Sequence, residues 1–295
     1  MRHYYKRFKN KLSFLKNGMV EIEMKVIGVV AIVVGLFLVS SSVSQGRYSG
    51  MAYAASCDTN GGLIPDLQVA VPLHLQLTKE DKEYVLRLSN GIANTGEGVW
   101  QMVPVIPADK NNPQKANQQF LDSNGNIVAT CPTDSSSVYH PAHKHFHISD
   151  VAEFSVRTGS PKGDVIGSSL KVTSCLIDWI RLEGNSPNNE RVYSSCDSGV
   201  QGISPGWVDQ YHMALECQAV LVTKAVDKSK TDPETTYYLV SQANPKGFFT
   251  EKNSDNNVAW VQFKIKSDET GNPKLEITGH SPCNDGLCGE DFPNR

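Results

Sequence analysis

The sequence predicts a mainly β fold, an antiparallel β-sandwich with long loops and few short helices. Two observations point there. Short apolar or alternating runs are separated by Gly, Pro, Asn and Asp roughly every 10–15 residues, the rhythm of strands and turns. Beside them, no amphipathic helical stretch of about 12 or more residues stands out.

Taken in order, the chain opens on a segment that does not read as fold. Residues 1–25 hold seven Lys/Arg and two Glu, and Val26 to Val39 is a 14-residue run of apolar residues and glycine. A basic stretch before a short apolar run is the pattern of a secretory leader. The run falls short of the about 20 residues that span a bilayer. Ala52-Tyr53-Ala54-Ala55-Ser56 offers a small-residue cleavage site. Residues 1–55 are therefore expected to be a signal peptide or N-terminal membrane anchor. Residues 56–295 then form one extracellular or cell-surface domain, touching a membrane only through that anchor. Cys57 follows Ala-Ser, but Ala54 stands where a lipid-anchored cysteine is preceded by a larger apolar residue, which disfavours lipidation.

Within the domain, Tyr84 to Leu88, Val151 to Val156, Ala219 to Val222, Tyr237 to Val240 and Val258 to Ile265 read as strands. Asn124-Gly125, between Leu121 and Ile127, reads as a hairpin turn. Pro107 to Lys115, Gly184 to Asn189 and Lys224 to Glu234 read as linkers. The leader holds eight Lys/Arg and two Glu, so without it the formal charge moves from −3 to about −9. No basic patch survives, which argues against nucleic acid as a partner. Seven cysteines, at 57, 131, 175, 196, 217, 283 and 288, read as disulfides plus one leftover in an exported protein. None forms a C-x-x-C pair, which disfavours zinc-ribbon and thioredoxin-type sites.

Four of the eight histidines occupy one octapeptide, His140-Pro141-Ala142-His143-Lys144-His145-Phe146-His147. The last three alternate, and in a strand alternate residues share a face. Three imidazoles can then converge on one metal ion with open positions, while Lys144 and Phe146 face away. His140, set off by Pro141, reads as a neighbour of the ligands or a loop end rather than a fourth ligand. Imidazole suits copper, zinc, iron or nickel. The lack of a suitably spaced carboxylate disfavours non-haem iron, and the cluster alone does not separate copper from zinc.

The histidines belong to a longer collinear pattern. They run on to Ser149-Asp150 and Glu153-Phe154, then to Leu170-Lys171-Val172-Thr173-Ser174-Cys175-Leu176. Gln201-Gly202-Ile203-Ser204-Pro205-Gly206-Trp207-Val208-Asp209-Gln210-Tyr211 and Cys217-Gln218 follow, then Glu251 to Val258. With Pro65-Asp66-Leu67 and Leu86 to Asn90 ahead of them, these segments resemble the catalytic domain of the lysyl oxidase family, in its prokaryotic form, over most of 63–280.

That resemblance implies a copper ion on His143, His145 and His147, and a lysine tyrosylquinone cofactor made by cross-linking Lys171 to Tyr211. It implies oxidation of primary amines, either small amines or lysines of surface proteins, by O₂ to aldehydes, with release of ammonia and hydrogen peroxide. Asp209, two residues before Tyr211, shares its face if the stretch is extended, and is a candidate proton-abstracting base. The resemblance also implies a calcium site from Asp66, the Leu67 carbonyl, Glu251, Asn253, Asn256 and Asn257, oxygen donors suited to a hard cation. Asn253 replaces an acidic residue usual there, which should weaken the site. Cys175, Cys196 and Cys217 match family cysteines, but Ala142 replaces another, so the pairing does not carry over whole. Cys175–Cys196, Cys283–Cys288 and Cys131–Cys217 are the expected bridges, leaving Cys57 over. The competing reading is a non-catalytic extracellular copper- or zinc-binding module that keeps the histidines and makes no quinone.

Overall fold

A computed structural model describes residues 57–169, 173–182 and 190–283, all within the unit Gly50–Arg295. The described residues form three antiparallel sheets and one short helix. The first sheet is built on the long strand β3 (Glu83–Asn94), with β1 (Leu67–Val69) and β2 (Leu73–Glu80) paired to it. β13 (Trp207–Tyr211) and β14 (Ala219–Leu221) also pair with β3, and β11 (Ile180–Arg181) extends the sheet beyond β13. The second sheet joins β4 (Trp100–Pro104), β5 (Gln114–Leu121), β6 (Ile127–His140), β7 (His145–Ser149), β10 (Thr173–Ser174) and β12 (Gln201–Ile203) in the order β10-β7-β6-β5-β4-β12. The third runs β17-β16-β15-β8-β9, from β8 (Ala152–Thr158), β9 (Val165–Ser168), β15 (Tyr237–Ala243), β16 (Val258–Ser267) and β17 (Pro273–His280).

Period-two burial explains how the sheets meet. Leu86 and Leu88 of β3 pack against Phe154, Leu239 and Phe263 of the third sheet. Farther along β3, Ile92 joins Leu67, Trp100 and Met102, Ile148 and Val261 in a cluster drawn from all three sheets. The opposite face of β3 and β13 carries Ala93 and Val208 into a smaller cluster with Ile180. The mainly β expectation therefore holds, with three sheets around joined cores.

The five expected strands fall in β3, β8, β14, β15 and β16. The expected Asn124-Gly125 turn joins β5 to β6. Asp122 Oδ1 accepts the N–H groups of Asn124 and Asn126, each at 2.9 Å, and Gly125 takes φ 83°, where a side chain would be strained. One linker is corrected: Lys224 to Glu234 contains most of α1 (Thr223–Ser229). Ala225 and Val226 are buried in the β3–third-sheet core, while Lys224, Asp227 and Lys228 are exposed. Two turns are too short for that face to show as a sequence period. The 184–189 linker lies outside the described residues.

Cys175–Cys196 is bridged as expected. Cys131 is bridged to Cys57 instead of Cys217, and Cys217 is exposed and outside both bridges. The cause is the entry of the chain: Leu63 N–H bonds the Leu121 carbonyl at 2.8 Å, which lays the first residues along the β5–β6 hairpin. Cys57 thereby joins Phe120, Ala129 and Cys131 in one apolar cluster. Cys57 is thus a disulfide half, neither leftover nor lipid anchor. Cys283 is disulfide-bonded; Cys288, its expected partner, lies outside the described residues. Among the described residues no helix is long and apolar enough to cross a membrane, and Val26 to Val39 lies outside them.

Candidate functional site

The β6–β7 hairpin builds the histidine cluster. His145 and His147 alternate on β7 around Phe146, which is buried and edge-on to Tyr139 with ring centroids 5.2 Å apart. His143 does not share that strand, which corrects the expectation of three alternating strand residues. It sits in the turn, where the His143 and Lys144 N–H groups bond the His140 carbonyl at 3.1 and 2.8 Å and Lys144 takes φ 63°. The turn still delivers it, because candidate ligand atoms of His143, His145 and His147 all lie within 4.8 Å of one another. His140, at the end of β6, stacks on His143 with centroids 4.2 Å apart and on His147 at 5.1 Å.

This donor set fits a transition metal. His145 Nε2 and His147 Nε2 face each other at 2.9 Å. That is about the separation of two adjacent ligands each 2.0–2.1 Å from one ion at near right angles. His147 Nδ1 lies 2.9 Å from Thr173 Oγ1, so the threonine fixes the ring and leaves Nε2 directed into the cluster. Thr173 belongs to β10, which pairs with β7 through Thr173 opposite Ser149. Glu216 Oε2 lies 3.8 Å from His143 Nε2.

Tyr211 ends β13 on the inner face of the first sheet, opposite Asn90. Its hydroxyl donates to the Cys175 carbonyl and also contacts the carboxylate of Asp209. Burial pushes the phenol pKa well above its ordinary value, and the charge and hydrogen bond of Asp209 push it further, with Ser174 acting in the opposite sense. Asp209 itself is buried and shares the face of Tyr211, because β13 is extended there. The structure thus sets the tyrosine and the histidines against the same short segment. Thr173 touches His147 and Cys175 touches Tyr211, and two residues span at most about 7 Å. Lys171 lies outside the described residues.

The expected calcium ligands are gathered in part. Glu251 Oε2 accepts the Leu67 N–H at 3.1 Å, and its Oε1 accepts Asn244 Nδ2 at 2.6 Å and Asn257 Nδ2 at 2.7 Å. Asn256 Nδ2 donates to Asp66 Oδ1 at 3.1 Å. Burial raises the Glu251 pKa, and the nearby Asp66 charge adds to it, against the hydrogen bonds from Asn244, Asn257 and Leu67. Asn256 Oδ1 and Asn257 Oδ1 are buried with no hydrogen-bond donor among the described residues. Two carboxylates with two unmatched amide oxygens are the surroundings a hard cation satisfies. Asn253 is not gathered: it is exposed, and its Oδ1 accepts the Asp255 N–H at 3.0 Å.

Thr173, Glu216 and the Cys175 carbonyl receive no role from sequence reasoning. Thr173 carries a signal, since it stands two residues after Lys171 in the quoted segment. Glu216 carries none, because its approach to His143 depends on the loop between β13 and β14. That loop is tied down by Arg87 Nη1, which donates to the Met213 carbonyl at 3.0 Å, and by Ser89 Oγ, which accepts the Met213 N–H at 3.0 Å.

The sequence profile described as lysyl oxidase matches residues 110–272. Similar curated proteins include lysyl oxidase homolog 1 of Homo sapiens, 28% identical over 120 residues, which are 41% of this chain and 19% of that protein. Lysyl oxidase homolog 1 of Bos taurus is likewise 28% identical over 120 residues, 41% of this chain and 18% of its own length. The match therefore spans about a fifth of those relatives. The profile, in contrast, covers more than half of the present chain and takes in the histidine hairpin, the tyrosine strand and the Glu251 turn together: the chain belongs to the lysyl oxidase family.

Proposed function

We propose that this protein is an exported, copper-dependent amine oxidase that uses a lysine tyrosylquinone formed from Lys171 and Tyr211. The observation that carries the reading is the shared segment 173–175, with the histidine cluster held at one end and the Tyr211 hydroxyl at the other. His143, His145 and His147 would hold the copper, and Thr173 orients His147 toward it. Bound copper and the quinone would supply the redox chemistry by which a primary amine, O₂ and water become an aldehyde, ammonia and hydrogen peroxide. Asp209, which is buried and in contact with the Tyr211 hydroxyl, would accept a proton at that position. Asp66, Glu251, Asn256 and Asn257, with the Leu67 carbonyl, would hold a structural calcium that ties the start of β1 to the turn before β16. Substrates are small primary amines or lysine side chains of surface proteins. The disulfides Cys57–Cys131 and Cys175–Cys196 suit an oxidising, extracellular setting.

The test is peroxide release from a simple primary amine by copper-loaded protein, with Tyr211→Phe as the control. Amine-dependent peroxide that disappears in Y211F supports the oxidase. Tight copper binding without peroxide from the parent protein would leave a metal-binding module instead.

A further inference from the structure

The loop that carries Glu216 interrupts what is otherwise one line of strand along β3. Tyr211 stands opposite Asn90, and Ala219 resumes the pairing opposite Arg87. Gln218 therefore faces Leu88, whose N–H bonds the Gln218 carbonyl at 3.4 Å. Opposed residues in an antiparallel pair share a face, as do alternate residues of one strand. Asp209, Tyr211 and Gln218 thus line up on the inner face, with Asn90 across from Tyr211. Gln218 and Tyr211 occupy successive same-face positions, about 7 Å apart at 3.3–3.4 Å per residue.

Both flanking amides are buried and incomplete. Gln218 is 0% exposed, and neither its Nε2 nor its Oε1 has a hydrogen-bond partner among the described residues. Asn90 is 3% exposed; its Oδ1 accepts from Ser241 Oγ at 2.6 Å, but its Nδ2 has no acceptor among them. Such groups are rare in native interiors, and each costs about 1–3 kcal/mol if left unmet. They lie at the polar end of an otherwise apolar face, where Leu86, Leu88, Val220 and Val222 continue the row.

We infer that Asn90 and Gln218 are positioning residues that hydrogen-bond the oxidised ring of Tyr211. The inference rests on the proposed cofactor and goes beyond it. Conversion of the phenol to an ortho-quinone by O₂ breaks one ring C–H bond and the O–H bond, forms a second C=O, and releases one water. The ring thereby gains an acceptor oxygen and loses its only donor. The unmatched N–H groups of Asn90 and Gln218 are the donors that the new oxygen needs. Joining the Lys171 amine to the ring forms a C–N bond, breaks one N–H and one ring C–H bond, and passes two electrons and two protons to a second O₂ as hydrogen peroxide; the N–H that remains is one that Gln218 Oε1 can accept. The amides hold the oxidised ring in one orientation and have nothing to hold before oxidation.

Gln218→Met tests this, because it keeps the length of the side chain and removes both polar atoms; Gln218→Leu is the second apolar variant should Q218M fold poorly. Each full-length chain is compared with the parent, first copper-free and then after aerobic copper loading, by peptide mapping, visible absorption and thermal melting. Copper-free Q218M is expected to melt at or above the parent, since no hydrogen bond is lost. After loading, with the 171–211 link formed, it should melt about 2–4 °C below the parent for each hydrogen bond lost, with a displaced visible band. Equal destabilisation in both forms would assign Gln218 a purely structural role and overturn the inference. So would a loaded variant whose melting temperature and band match the parent. A parent that forms no link removes the cofactor reading itself, a separate outcome visible in the peptide map.

Discussion

Replacing Thr173 by valine removes one atom that the proposed metal centre depends on. Thr173 Oγ1 lies 2.9 Å from His147 Nδ1. Valine keeps the branched shape that suits a strand, so the pairing of Thr173 with Ser149 persists. Without the hydroxyl, His147 loses the contact that fixes its ring while Nε2 points at His145 Nε2, 2.9 Å away. Losing such an outer partner typically weakens metal binding about 10–100-fold, or roughly 1.4–2.7 kcal/mol. Competition titration against a chelator of known affinity measures it. Thr173→Ser, which retains the oxygen, should bind within about threefold of the parent, far above T173V. If T173V folds normally and binds copper as tightly as the parent, the threonine does not orient the ligand and the reasoning fails.

Four other outcomes are expected. The Cys57–Cys131 bridge closes a loop of 74 residues in sequence separation, so the double serine variant should lose up to about 4 kcal/mol in urea unfolding. Calcium at about a hundred times its Kd should stabilise the chain by about 2.7 kcal/mol, and Glu251→Gln should remove most of the rise in melting temperature. Tyr193 titrates well above the ordinary phenol range because it is buried and faces the charge of Asp178. A raised folded-state pKa gives stability that is full below the unfolded phenol value near 10 and falls as pH rises past it; Tyr193→Phe should flatten part of that alkaline loss in a pH series of melts. Asp178→Ala should destabilise strongly, by about 3–5 kcal/mol. The buried carboxylate accepts the N–H groups of Val192, Tyr193 and Ser204 and the Ser204 hydroxyl, and all four would be orphaned.

Much of the local structure was legible because it is written in short periods. The runs at 84–88, 237–240 and 258–265 alternate or are continuously apolar, and each lies within a strand. Asn124-Gly125 names its own turn through the left-handed backbone that it tolerates. The histidine cluster was legible as a group, but the route of His143 was not, since a left-handed Lys144 leaves no periodic trace. What depended on long-range register was hidden. The bridge of Cys57 follows from the first residues lying on the β5–β6 hairpin, a contact between segments far apart in sequence. The alignment of Asp209, Tyr211 and Gln218 is masked by the loop from His212 to Cys217, which breaks the count of two. The match of Asp66 to the Glu251 turn was reached through family resemblance, and no local pattern links those residues.

The central claim is that the amine at 171 and the ring at 211 meet beside the histidine-bound metal. Peptide mapping of copper-loaded, aerobically matured protein tests it most directly. A single cross-linked species joining the peptides that contain Lys171 and Tyr211, absent from copper-free protein and from the His145→Ala variant, is the predicted result. Recovery of both peptides unlinked and unmodified from fully copper-loaded protein would contradict it.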